Sequence, residues 1–176
     1  MDGYLLDTNI FDYLTDRADV FHAPVQRVFA QVPDATPVFI SAITAGEVEY
    51  GIQANPGMSE ARRLDLLSAV AQFPVLGVTS GAGTHFGKVR AVLFERNIRN
   101  GKRSLRPEQL VDPVTSLRLG VQENDLWIVA QALEHNLTLV THDRRMRPVW
   151  EAAGPALRVE DWADPDFSWP SADRER

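Results

Sequence analysis

The chain contains no cysteine, which excludes disulfides, thiolate zinc sites and a cysteine nucleophile. Any metal must therefore be held by oxygen or imidazole. No apolar run approaches the roughly 18–20 residues that span a bilayer, so no membrane association is expected. The opening Met1-Asp2-Gly3-Tyr4 lacks the basic stretch of a secretory leader, and a cytoplasmic protein is expected. Overall positive charge is also missing. The formal net charge is −6, which favours solubility and argues against nucleic-acid binding over the whole surface. No internal repeat is visible.

What remains is an ordinary globular composition. The 176 residues are 44% hydrophobic, enough for one core and too few for two independent ones. A single domain is expected over residues 1–162, followed by a polar, Pro-containing tail over 163–176. Positive charge is local. Lys88, Arg90, Arg96, Arg99, Lys102, Arg103 and Arg106 stand against one acid, Glu95, and Arg144, Arg145 and Arg147 form a smaller group.

Short apolar runs alternate with helical spacing. Tyr4-Leu5-Leu6, Val38-Phe39-Ile40-Ser41, the stretch 74–78, Leu137 to Thr141 and Leu157-Arg158-Val159 read as strands. Helices are expected over 20–32, over 43–54, and from Ser59-Glu60 onward with Leu64, Leu67 and Ala71 on the apolar face. A further, basic helix carries Phe86, Val89, Val92 and Leu93. Asn124 is placed to cap a helix from Asp125 to about His135. The stretch 97–120 has no clear period and reads as a long loop or insertion. The fold class is α/β, a three-layer sandwich around a mainly parallel sheet of four to five strands.

In open parallel sheets, ligands bind beyond the carboxyl ends of the strands. Asp7 follows the first strand, Asp143 follows the fourth, Asp125 opens a helix, and Glu47 lies early in the helix after the second strand. On a helical wheel Glu47 shares a face with Ile43, Tyr50 and Ala54, opposite Ala45, Val48 and Ile52. A carboxylate on a half-buried face is costly unless paired or metal-bound. Four acids on one rim repel each other, and a hard divalent cation with oxygen ligands, Mg²⁺ or Mn²⁺, resolves the conflict.

These segments resemble a known family. Leu5-Leu6-Asp7-Thr8-Asn9-Ile10 is similar to the opening motif of PIN-domain nucleases. The run from Ile40 to Gly51, with Glu47 inside it, resembles their second motif. Glu123-Asn124-Asp125-Leu126-Trp127-Ile128-Val129-Ala130 and Leu137-Thr138-Leu139-Val140-Thr141-His142-Asp143 resemble the third and fourth. The subgroup it looks like is the VapC-type toxins of type II toxin–antitoxin pairs.

The resemblance implies a PIN-like fold and a metal-dependent endoribonuclease whose acidic site is Asp7, Glu47, Asp125 and Asp143. Asp7 and Asp125 would be direct Mg²⁺ or Mn²⁺ ligands, with Asp143 and Glu47 completing the shell directly or through water. Thr8, Asn9 and Thr141 would orient carboxylates or water. It also implies an RNA substrate, a homodimer and a cognate antitoxin protein that silences the toxin.

Lys88, Arg90, Arg96 and Arg99 are the candidates for contact with the RNA backbone. His142 reads as a surface or turn residue. Two other aspartate-based phosphoryl enzymes fit poorly. Haloacid-dehalogenase-type phosphatases carry a second Asp where Asn9 stands, and receiver domains carry adjacent early acids and a late lysine, neither of which is found. A non-catalytic PIN-like scaffold that binds RNA or protein, and a DNA-directed nuclease, remain as alternatives.

Overall fold

The computed structural model of the chain describes residues 3–97 and 105–168. Five strands form one sheet: β1 (Tyr4–Leu6), β2 (Val38–Ser41), β3 (Val75–Leu76), β4 (Thr138–Val140) and β5 (Arg158–Glu160). The order across the sheet is β3-β2-β1-β4-β5, and every pairing is parallel. Among the described residues seven helices connect them: α1 (Thr8–Thr15), α2 (His22–Phe29), α3 (Ala42–Gln53), α4 (Glu60–Val70), α5 (Ser80–Asn97), α6 (Glu123–His135) and α7 (Arg147–Ala153).

Successive strand residues face opposite sides of the sheet, and the core divides accordingly. Leu5 and Leu139 pack with Val89 and Leu93 of α5, Leu126 and Val129 of α6, and Val149 of α7. Leu6, Ile40 and Val140 pack with Ile10 and Phe11 of α1, Val25 of α2, Val48 and Ile52 of α3, and Leu66 of α4. The sheet is thus buried on both faces, as its continuous apolar strands require. The α/β sandwich expected from the sequence is the one observed, with a sheet that is wholly parallel.

The register positions the site. Leu6 lies opposite Ile40 on one side and Val140 on the other. The next residue of each strand, Asp7, Ser41 and Thr141, therefore emerges at one level. Asp7 N donates to Val140 O at 2.9 Å. The chain adds β2 and β3 on one side of β1, then crosses to add β4 and β5 on the other, so the gap between β1 and β4 is the topological switch point.

Several local expectations are corrected. The helix expected over 20–32 begins at His22, because Asp19 accepts from Phe21 N at 2.7 Å and closes a turn there; Val20 is left outside it and exposed. α4 buries Leu66, with Ala69 and Val70 packed beside it, while Leu64 and Leu67 face solvent. Its apolar residues lie on both sides, and contact with α1 and α3 decides which side is inside. α6 is capped by Gln122 rather than Asn124. Asp125 Oδ2 accepts from Gln122 N at 2.8 Å, a reciprocal bond that fixes the helix start two residues early.

Within 97–120, residues 98–104 lie outside the described part. The remainder holds a 3₁₀ turn at Pro107–Gln109 and an antiparallel bridge between Val111 and Arg118. Its Leu110, like the following Val121, is buried in the core. After β5, Trp162 packs edge-on to Tyr4, with ring centroids 5.1 Å apart, and Ala163 is buried.

One buried polar side chain ties the layers together. Gln131 of α6 accepts from Ser41 Oγ at 2.5 Å and donates to Leu76 O and Gly77 O at 2.8 and 3.0 Å. Gln131→Leu keeps the volume but strands those partners. Each buried orphan costs about 1–3 kcal/mol, so the urea midpoint is expected to fall with an unchanged slope; an unchanged midpoint would show that the bonds contribute nothing.

Candidate active site

Asp7 is the N-cap of α1, directly past the end of β1, and is only 5% exposed. Both of its oxygens accept hydrogen bonds. Oδ1 accepts from Thr8 N at 2.8 Å, and Oδ2 accepts from Asn9 Nδ2 at 2.6 Å and Thr141 Oγ1 at 2.7 Å. Burial pushes its pKa up, the three donors pull it down, and the nearby Asp143 charge pushes it up again; the net direction is upward. Asn9 also accepts from His142 N through Oδ1 at 3.0 Å, so it joins α1 to the loop after β4.

Glu47 is reached from two other elements. Thr8 Oγ1 donates to its Oε2, and Asn124 Nδ2 donates to its Oε1 at 2.7 Å. The buried Thr44 lies 3.1 Å from Thr8 Oγ1. Asn124, expected as a helix cap, thus spends its side chain on an acid of the rim. Asp125 keeps Oδ1 without a hydrogen-bond partner among the described residues, since its Oδ2 takes the Gln122 amide. Burial raises its carboxyl most, the Gln122 bond opposes, and the charges of Asp7, Asp143 and Glu47 add to the rise, leaving it pushed up to about 7.

Asp143 is held differently. It accepts from Arg145 N and Nε through Oδ1, both at 2.9 Å, and from Nη2 through Oδ2 at 2.7 Å. Burial raises this carboxyl, but the Arg145 bonds and charge outweigh it and hold it below the usual range. The Arg145 side chain is 65% exposed.

A fifth acid escaped the sequence reading. Asp12 lies one turn beyond Thr8 on the same side of α1. Although part of it is open to solvent, desolvation of its carboxyl and the Glu47 charge push it up to about 6, against the pull of Arg62. Its five-residue spacing from Asp7 was the available signal. Asp161 was missed as well. Its side chain is wholly buried, accepts from His142 Nδ1 at 2.9 Å and pairs with Arg144 at 2.8 Å. His142 sits against the rings of Phe21 and Tyr13, so of the surface or turn reading only the surface part is corrected.

The site therefore offers oxygen donors only, with more negative charge than the local cations offset, and these are the requirements of a hard divalent ion. Among the described residues no three acidic or imidazole side chains already form a metal-holding group. The reason lies in the bonds above: Asp125 turns back to Gln122 and Asp143 turns to Arg145. Of the basic candidates, Lys88 and Arg96 are exposed on α5. Arg90 is paired with Glu123 at 3.5 Å and lies over the Phe86 and Phe94 rings. Arg99 lies outside the described residues.

A parallel sheet with acids gathered at its switch point defines the class of protein to compare with. The PIN domain family model matches residues 4–150, and the chain belongs to the PIN-domain family. No match is found among the curated proteins. Solved structures agree over most of the chain. VapBC2 from Rickettsia felis, bound to a DNA fragment from their promoter, gives a TM-score of 0.65 at 20% identity, covering 92% of this chain and 99% of that one. VapBC-1 from nontypeable Haemophilus influenzae gives 0.62 at 24%, covering 92% and 98%. VapBC-5 from Mycobacterium tuberculosis, a member of the VapBC family of toxin-antitoxin systems, gives 0.53 at 23%, covering 91% and 96%. At these identities the likeness is one of fold.

The raised carboxyls set a pH dependence. A group whose folded pKa lies above its unfolded value binds its proton more tightly when folded, so stability falls as pH rises through the interval between the two. For Asp125 that interval runs from its ordinary value near 3.8 up to about 7, and for Asp12 from 3.8 up to about 6. The metal-free protein is expected to melt at lower temperature at pH 7.5 than at pH 5. Asp125→Asn should flatten that slope; a slope unchanged by the substitution contradicts the assignment.

Proposed function

We propose that the chain is a metal-dependent endoribonuclease, the toxin of a type II toxin–antitoxin pair. The observation that carries this reading is the delivery of Asp7, Glu47, Asp125 and Asp143 to one rim from β1, α3, α6 and the loop after β4, in a chain of the PIN-domain family. The solved neighbours support the toxin assignment by fold. A cognate antitoxin protein, a homodimer and a cytoplasmic site of action belong to the same proposal. Among the described residues no helix is long and apolar enough to cross a membrane.

Asp7 and Asp125 would hold Mg²⁺ or Mn²⁺, joined by Asp143 once Arg145 moves aside. When bound, the ion lowers the pKa of water and polarises a phosphodiester. The protein's own groups do the rest. Thr8, Asn9 and Thr141 fix Asp7, and Thr8 also fixes Glu47, through the bonds described above. Glu47, steadied by Thr8 and Asn124, is placed as an acceptor for the proton of an attacking water. Lys88 and Arg96 lie free on α5 to meet phosphates, a contact that raises affinity without reading sequence. Arg145, once released from Asp143, would be a cation beside the acids, suited to negative charge that develops on a phosphate.

Water rather than the ribose 2′-hydroxyl is the nucleophile, so the products carry a 5′-phosphate and a 3′-hydroxyl. Single-stranded RNA should be cut in Mg²⁺ or Mn²⁺ and left intact in EDTA or by Asp7→Ala. DNA of the same sequence is the comparison that separates a ribonuclease from a general one. Cyclic phosphate ends, or equal cleavage by wild type, Asp7→Ala and EDTA-treated protein, would overturn the proposal.

Ion binding has its own readout. Mn²⁺ should raise the melting temperature of wild type at pH 7.5, because it relieves the carboxylate repulsion in the folded state alone. Asp125→Asn should blunt that rise, as followed by calorimetry.

A further inference from the structure

Beside the acids a cleft of about 500 Å³ opens on the same rim, lined by Ala42, Ile43, Gly46, Glu47 and Tyr50 of α3 and by Asn124 of α6. Ile43, Gly46, Glu47 and Tyr50 are spaced three and four apart, so one face of α3 forms the wall. Two features of that face serve no packing purpose. Gly46 sits inside a 12-residue helix, where glycine weakens the helix. Yet a Cβ built there meets nothing within 4 Å, so no neighbour demands the small residue. Tyr50 is 74% exposed, leaving its ring in solvent. A helical side chain leans back over the residue four places before it, which here is Gly46. Tyr50 and the bare helix surface at Gly46 therefore border one shallow, open-sided slot.

The polar end of the slot is the reaction centre itself. Glu47 belongs to the acid rim, and Asn124 gives its Nδ2 to Glu47 and keeps its carbonyl oxygen for a donor from outside. A ligand seated in the cleft lies next to whatever bond the acids attack.

We infer that the cleft is a nucleobase subsite. The base of a nucleotide flanking the scissile phosphate enters the slot over Gly46 and stacks on Tyr50. The inference rests on the ribonuclease reading and extends it to the form of the substrate. The base must be unpaired to enter, so single-stranded RNA or a loop is the substrate class. Stacking tolerates any base, because each has a π-face. Continuity with the acids favours a nucleotide over a protein side chain as occupant, since the polar end of the cleft is where the substrate must pass.

Gly46→Leu tests this directly. It fills the slot from a position with open space around it, so its melting temperature should equal or exceed that of wild type. Its kcat/KM on single-stranded RNA should fall about tenfold or more, mainly through KM, as should that of Tyr50→Ala. Tyr50→Phe should restore most of what Tyr50→Ala loses, since the ring and not the hydroxyl does the stacking. A second readout needs no cleavage. Single-stranded RNA carrying 4-thiouridine is irradiated with wild type in Ca²⁺ instead of Mg²⁺, and the crosslinked peptide is mapped by mass spectrometry. Crosslinks should fall within residues 42–50.

If wild type cleaves, and Gly46→Leu and Tyr50→Ala cleave equally well, the subsite is overturned and the cleft is left to a protein segment, while the nuclease reading stands. If wild type does not cleave, the nuclease reading falls. Crosslinks confined to other parts of the chain then overturn the subsite too, and crosslinks at 42–50 establish it as a nucleobase site on a non-cleaving protein.

Discussion

Carboxylates that share the edge of a sheet repel one another, and this crowding is the constraint on which the rest of the site depends. Asp7 shows how the fold meets it. The side chain is buried at the end of the central strand, where water cannot stabilise its charge. Three donors replace the water: Thr8 N, Asn9 Nδ2 and Thr141 Oγ1. Two of them come from the start of α1 and one from the end of β4, so the network also fastens the two sides of the switch point together. The remaining acids find other compensation. Asp143 takes Arg145, Glu47 takes a hydroxyl and an amide, and Asp125 is left with one backbone amide and a strongly raised pKa. Among these four, Asp125 accepts the fewest hydrogen bonds and keeps one oxygen open to a cation.

The loop after β4 is held from an unexpected quarter. Asp161 lies at the end of the edge strand β5, far along the chain from the acids. Its buried carboxylate accepts from His142 Nδ1 and Arg144, and also from the amides of Ala163 and Asp164, both at 3.0 Å. It clamps residues 142 and 144, on either side of Asp143. Arg144 also reaches Asp164 and lies over the Phe167 ring. The residues just after β5 thus brace the loop that carries one of the acids.

The segment ahead of α6 does similar work on another side. Glu108 accepts from Glu123 N at 2.9 Å, which supplies one of the open amides at the first turn of α6. Gly120 has a φ of 73°, a left-handed conformation that suits glycine, and a Cβ there would stand 3.2 Å from Arg145 Cδ. The segment therefore packs against the arginine that holds Asp143. The segment thus meets the start of α6, which carries Asp125, and the arginine that holds Asp143.

How much of this was legible in the residues follows from range. The strands, the α/β class and the four rim acids rest on local signals: apolar runs, turn residues and acids at strand ends, strengthened by resemblance to a known family. What was misread depends on partners distant in the chain. Nothing near Leu66 says that it, rather than Leu64 or Leu67, meets α1 and α3. Nothing near Asn124 says that its amide is spent on Glu47, 77 residues earlier. His142 looks like a surface residue until Asp161 is brought beneath it by the pairing of β4 with β5. The sequence by itself determined the strands, most of the helices though not α7, and which carboxylates stand at their ends, because hydrophobic periodicity and capping act over a few residues. Only the tertiary structure decided how each charge is balanced, because a carboxylate's pKa and orientation are set by donors and charges that the sheet register brings within a few ångströms.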